Sequence, residues 1–132
     1  MKTRYTVALS MLAGAAIGGA VIQGLHAEAK PPVYYYLEID VSNPEAYMKE
    51  YAPLAQASVK AAGGRQLAIG GPAGAKLTPI EGAPPPSRVA LQVWDSIEQI
   101  QTWFNSPYYK EARKIGDQYA KFRSFAVEGV SQ

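Results

Sequence analysis

The sequence predicts an α+β fold of ferredoxin-like βαββαβ order, with an antiparallel-type sheet, in a single domain over residues 30–132. Three observations predict it. Hydrophobic periodicity runs strand, helix, strand, strand, helix, strand. The two halves echo each other: each has an apolar strand ending in an acid and a capped helix, Asp40-Val-Ser-Asn-Pro-Glu and Asp95-Ser-Ile-Glu. The chain has 132 residues, enough for one domain and not comfortably for two.

The first strand is expected from Val33 to Val41, where apolar and polar residues alternate. Val33, Tyr35, Leu37, Ile39 and Val41 share one face; Tyr34, Tyr36, Glu38 and Asp40 share the other. Ser42-Asn43-Pro44-Glu45 starts a helix, since proline suits the first helical position and Asn43 the cap. Pro53 lies inside that helix, lacks an N–H, and predicts a kink or a restart. Gly63-Gly64 ends it. Arg65 to Ile69 reads as the second strand. A Pro-, Gly- and Ala-rich connection follows, including Pro84-Pro85-Pro86, with a small extra strand expected at 76–80.

Arg88 to Asp95 reads as the third strand. Its apolar face is expected to be Val89, Leu91 and Val93, with Arg88, Ala90, Gln92 and Trp94 on the other. Ser96 caps the next helix, with Gln99 in the capping-box position, and Ser106-Pro107 breaks it and caps another. Ala120 to Val130 is the fourth strand, where Phe122, Ser124, Ala126 and Glu128 alternate with Arg123, Phe125 and Val127.

These patterns place the first and third strands side by side at the sheet centre, expected parallel. Two helices can cover only one face of that sheet. The other is expected to carry Tyr34, Tyr36, Ala90 and Trp94, too apolar to stay wet. A second copy packed sheet on sheet is the simplest remedy, which predicts a homodimer with a barrel-like interface.

The N-terminus reads as a targeting segment. Lys2 and Arg4 precede an uncharged run from Tyr5 to Leu25, and Ala27-Glu28-Ala29 forms an Ala-x-Ala site. Residues 1–29 are therefore expected to be a secretory signal cleaved after Ala29, with a periplasmic or secreted product. The alternative is a retained anchor, because about 20 apolar residues can span a bilayer; residues 5–25 are then the only membrane contact. Cleavage removes His26, the sole histidine, and leaves eleven basic against ten acidic residues, from thirteen and eleven in the whole chain.

Composition excludes more chemistry than it names. There is no cysteine, hence no disulfide, thiolate nucleophile or thiolate metal site. Without histidine a nucleophilic triad has no ordinary base. Interspersed charges show no basic stripe, so no nucleic acid partner is expected. No cofactor and no metal are expected. The candidate catalytic residue is Glu38, mid-strand on the aromatic face. Burial would raise its pKa and a neighbouring Arg88 or Arg123 would lower it, so it could act as a general base or simply form an interface ion pair. Arg65, Arg88 and Arg123 could clamp a carboxylate or phosphate. Tyr34 and Tyr36 would face a ligand or a partner, and Trp103, Tyr108 and Tyr109 could line a pocket or the core.

Several short patterns converge: Asp40-Val-Ser-Asn-Pro-Glu-Ala-Tyr47, Gly63-Gly64-Arg65-x-Leu67, Glu81-Gly82 before Pro86-x-Arg88-Val89, and Trp103-x-x-Ser106-Pro107-x-Tyr109. In this order and spacing the chain resembles the family known as domain of unknown function 1330, over roughly Pro32 to Val130. The resemblance implies a dimeric α+β barrel and no particular activity. Haem-handling relatives of this superfold mostly use histidine, so the resemblance argues against that role. Ile69-Gly70-Gly71 departs from the family pattern, where a basic residue is expected before the glycines. The reading that follows is an exported homodimer binding a small organic molecule, any catalysis being cofactor-free acid–base or oxygen chemistry. The alternative is a non-catalytic structural or partner-binding envelope protein.

Overall fold

The structure, a computed structural model, describes residues 30–131. The expected signal segment, its cleavage site and His26 lie outside the described residues. The first strand, β1, spans Val33–Val41. Helix α1, residues 44–61, has three parts: Pro44–Ala46, a π-helical stretch Tyr47–Tyr51, and Ala52–Ala61. Then follow β2 (Arg65–Gly70), β3 (Arg88–Trp94), α2 (Ile97–Phe104), α3 (Pro107–Gly116) and β4 (Ala120–Glu128). The predicted order holds, and the strand ends differ from expectation by one or two residues.

The sheet order is β2-β3-β1-β4 and every pairing is antiparallel. The first and third strands are central as expected, but they are not parallel. Each helical crossover skips a strand, and the link from β2 to β3 reverses the chain, so β3 runs against both neighbours.

Caps sit where the residues require them. Asn43 Oδ1 accepts from the Ala46 N–H at 3.2 Å, and Ser96 Oγ accepts from the Gln99 N–H at 3.1 Å. Gln99 reaches back to accept from the Asp95 N–H at 2.9 Å and donates to the Ala62 carbonyl, tying α2 to the end of α1. Ser106 Oγ accepts from the Tyr109 N–H at 3.2 Å and donates to the Trp103 carbonyl. Pro53 acts through the widened turn before it. The Ala52 N–H donates to the Tyr47 carbonyl, five residues back, and Pro53 then falls in the first turn of a fresh α-segment, where its missing N–H costs nothing. At Gly64 a Cβ would lie 2.5 Å from the Trp94 ring, so glycine lets that indole lie flat against the helix end.

One expectation about β3 is overturned. Its register with β1 pairs Leu37 with Ala90 and Tyr35 with Gln92. Arg88, Ala90, Gln92 and Trp94 therefore lie under the helices, all buried, and Val89, Leu91 and Val93 face the other way. Alternation fixes which residues share a face, but both faces of this strand carry apolar groups, and only the register sets the phase. The small strand expected at 76–80 does not form; a single bridge joins Gly70 and Ala75.

The core lies between the sheet and the helices, around Tyr35, Leu37, Ile39, Trp94, Trp103 and Tyr109. Trp103 stacks on Tyr109 at 4.1 Å between centroids and packs on Trp94 at 5.4 Å. Each buried polar tip has a partner. The Trp94 indole donates to Gln92 and the Trp103 indole to Ser58, both at 2.9 Å; the Tyr35 hydroxyl donates to Ser124 at 2.7 Å.

Candidate functional site

The sheet divides the predicted site residues into two groups. Arg88, Trp103 and Tyr109 lie on its helix-covered side. Tyr34, Tyr36, Glu38 and Arg123 lie on its open side, with Arg65 opposite Val93 at the β2 edge. Tyr108 is more than half exposed on the outside of α3.

On the covered side, Arg88, Trp103 and Tyr109 line one cavity of about 40 Å³ between α1 and the sheet. Its walls also include Tyr47, Tyr51, Gln56, Gln66 and Gln92, with Leu37, Ile39 and Val59 as apolar lining. At about 30 Å³ per water, it has room for one water or a small anionic head group. The π-turn supplies Tyr47 and Tyr51, both buried toward the cavity. Such turns recur at functional sites.

Arg88 is the unusual member. It is 4% exposed, its Nη1 donates to the Pro72 carbonyl at 3.0 Å, and its guanidinium lies over the Tyr47 ring at 5.5 Å. Among the described residues the ion pairs are Arg113–Asp117, Lys114–Glu111 and Arg123–Glu38, so Arg88 has no carboxylate partner. A buried charge without a counter-charge is costly, and an anion in the cavity would offset that cost. No acid, lysine or histidine lines the cavity among the described residues. Its polar groups are one guanidinium, phenols and amides, a donor-rich set that recognises negative charge.

Burial holds the phenols of Tyr35, Tyr47 and Tyr51 neutral. The Tyr51 and Tyr109 hydroxyls lie 2.7 Å apart, and burial pushes the Tyr51 phenol far above its usual range, with repulsion from Tyr109 adding to it. Burial also raises Tyr47, against the opposing pull of Arg88, and raises Tyr35, against its bond to Ser124. At neutral pH these groups are hydrogen-bond donors, not bases.

Glu38 stands elsewhere. It pairs across the strands with Val89 and Arg123, on the face turned away from the cavity. Arg123 Nη1 donates to Glu38 Oε2 at 3.2 Å, with the two side chains 76% and 28% exposed. Arg88, the other cation expected beside it, is on the opposite face. An open groove of about 390 Å³ runs past Glu38, Asp40, Lys121 and Arg123 under the triple proline. Groove and cavity are separated by the sheet. Among the described residues no group of three or more His, Cys, Asp or Glu could hold a metal.

Tyr47, Tyr51 and Gln92 were not singled out from sequence. The four-residue spacing of the tyrosines on one helix face was a usable signal. So was the pairing of Arg88 and Gln92, two polar groups on one face of a central strand.

The family model of domain of unknown function DUF1330 matches residues 32–130, and the chain belongs to that family. No curated protein matches the sequence. Among solved structures, the methylated RPA0582 protein is 16% identical with a TM-score of 0.58, covering 85% of this chain and 91% of that one. RPA0582 is a Rhodopseudomonas palustris protein of unknown function. SnoaB, a cofactor-independent oxygenase from Streptomyces nogalater, is 11% identical with a TM-score of 0.53, covering 77% and 96%. A Caulobacter crescentus protein provisionally assigned as an antibiotic biosynthesis monooxygenase is 15% identical with a TM-score of 0.55, covering 83% and 99%. At these identities the likeness is one of fold.

Proposed function

We propose that this DUF1330 protein is an exported homodimer that binds a small organic anion in the cavity beneath α1, with Arg88 as the anchor. The observation that carries the reading is Arg88 itself, a buried arginine with no carboxylate partner at a cavity lined by neutral donors. Such a site favours a carboxylate, enolate or phenolate over the neutral molecule. Tyr47 and Gln92 would orient the anion and Trp103 would pack on its apolar part. Because no base lines the cavity, any chemistry there starts from a substrate acidic enough to ionise beside Arg88. That suits cofactor-free chemistry on a stabilised anion, and the fold's likeness to SnoaB is compatible with oxygen as the co-reactant. Dimerisation uses the open face, where Glu38 and Arg123 form an ion pair at the interface; export rests on the basic, apolar and Ala-x-Ala pattern of residues 1–29.

The test is nuclear magnetic resonance titration with acetate and then benzoate. Saturable shifts of the Arg88 Nε–H and Trp103 indole signals are expected, and both are lost in Arg88→Gln. The cavity of about 40 Å³ holds little more than a carboxylate head group, so acetate is expected to bind with less rearrangement of α1 than benzoate. Shifts that grow linearly with either salt, or that persist in Arg88→Gln, would overturn the reading and leave the structural envelope role.

A further inference from the structure

The connection between β2 and β3 spans residues 71–87, long for a loop without regular structure in a small domain, and such loops are commonly functional. Both its ends are fastened: residues 72–74 wrap the β2 edge against Arg88 and Ile69, and the chain has reached the open side of the sheet by Leu77. At the start, Gly70 pairs with Val89 on the open face, and a Cβ built there would meet Leu77 Cδ2 at 2.4 Å. Leu77 thus occupies the space that a side chain at Gly70 would fill. At the other end, Pro84, Pro85 and Pro86 border the groove beside Glu38 and Arg123. Ser87 Oγ then donates to the Ile39 carbonyl and accepts from the Val41 N–H, fastening the entry into β3 to the end of β1.

Between these fastenings the chain stands clear of its own domain. Ile80 is 90% exposed, and residues 78–85 are all exposed. The segment Thr78-Pro79-Ile80-Glu81-Gly82-Ala83 holds one charge, and prolines at 79 and 84–86 stiffen it. A single exposed apolar side chain is ordinary on a surface, but Ile80 stands on a stiffened arm beside an uncovered apolar face that carries Tyr36, Phe125 and Val127, and the two together make a contiguous patch of the kind that docks.

The uncovered face beside the arm, with Tyr36, Phe125 and Val127 at its surface, points to a second copy of this chain as what it docks on. Four strands of about seven residues span a flat footprint of roughly 450 Å², small beside the roughly 800 Å² of accessible surface that a stable interface takes from each partner even after allowance for side-chain relief. The open face, with Tyr36, Phe125 and Val127 at its surface, falls short alone. A copy packed on that face must also meet the arm, because the arm rises from the same side.

We infer that residues 77–86 form a clasp that embraces a second copy of this chain, burying Ile80 on it, with the two arms related by the dimer's two-fold axis. This rests on the open-face dimer proposed above and adds to it the element that supplies the missing contact area.

The experiment uses the full chain as the expressing cell exports it. Sedimentation equilibrium is run on the wild type, on Ile80→Ser, and on a variant with 78–83 replaced by Gly-Ser-Gly. The expected result is a wild-type dimer whose dissociation constant rises about tenfold in Ile80→Ser and further in the shortened variant. Near-UV circular dichroism of the protomer should stay unchanged, since the arm tip is exposed and holds no aromatic residue. The chain has no cysteine, so Ile80→Cys carries a single environment-sensitive fluorophore, whose emission should shift blue as the dimer forms. A wild-type dimer with equal affinity in all variants and no emission shift overturns the clasp and leaves the dimer standing. A wild-type monomer up to 100-micromolar concentration, about the top of the usual range, overturns both.

Discussion

The two faces of the sheet are equally aromatic and behave oppositely. Under the helices, Trp94 is paired with Gln92, Tyr35 with Ser124, Trp103 with Ser58 and Tyr51 with Tyr109. On the open face, Tyr34 and Tyr36 make no side-chain hydrogen bond among the described residues, and Phe125 and Val127 are 47% and 57% exposed. The covered face settles its polar tips within the chain; the open face leaves them for whatever covers it. Arg88 on the covered side is also hydrogen-bonded, to the Pro72 carbonyl, but its charge has no carboxylate partner among the described residues, and a buried unbalanced charge marks a site more sharply than polarity on a wet surface.

The largest test of this contrast is truncation of one aromatic residue on each face. Trp103→Ala should cost about 3–5 kcal/mol, because it empties the centre of the Trp94–Trp103–Tyr109 stack. Phe125→Ala should cost the isolated protomer less than about 1 kcal/mol, while weakening any dimer. Urea denaturation at low and high protein concentration checks both. A costly Phe125→Ala in the monomer would mean that the open face is packed by its own chain.

Alkali should strike the covered face next. The folded-state pKa values of Tyr35, Tyr47 and Tyr51 are raised by burial, and an unfolded phenol ionises near about 10. The unfolded chain then releases protons that the folded chain keeps. This contribution to stability is complete below that pH and declines as pH climbs toward the folded values. Denaturation midpoints should be flat from neutrality to about 9 and fall above about 10. Tyr51→Phe should fall less steeply. A midpoint insensitive to alkali would mean these hydroxyls reach solvent.

A third test separates function from stability at one residue. Arg88→Met keeps the aliphatic stem and removes a buried, unpaired charge. Stability should hold or rise by around 1 kcal/mol, while anion binding disappears. If stability instead falls by several kcal/mol, the Pro72 carbonyl and Tyr47 are structural partners enough for Arg88.

Most of the fold was legible in the sequence because its signals are local. Asn43-Pro44, Ser96 with Gln99, Ser106-Pro107 and Gly63-Gly64 each fix an element end through neighbours in the chain. What was not legible depends on pairing between distant strands. The phase of β3 cannot be read from Arg88 to Trp94, since Val89, Leu91 and Val93 look as buried as Ala90 and Trp94. That one ambiguity placed Arg88 beside Glu38 and so merged two sites into one. Tyr47 and Tyr51 were visible as a helix face, but their role depends on the π-turn that Pro53 brings about.

The smallest expected effect is the one that decides whether Glu38 has any chemistry. Its pair with Arg123 is largely wet, and exposed pairs contribute little, so Glu38→Gln should change protomer stability by less than about 0.5 kcal/mol. The sheet separates it from Arg88, so the acetate titration of the cavity should be unaltered. If Glu38 serves only the interface, the substitution shows itself as a modest, salt-dependent weakening of the dimer, because the ion pair is lost and screening already blunts it. A changed acetate affinity in Glu38→Gln with the dimer intact would show the two faces to be coupled through β1. Glu38 would then be a positioning residue for the cavity, and the division of the sheet into a binding side and a pairing side would fail at the strand the two sides share.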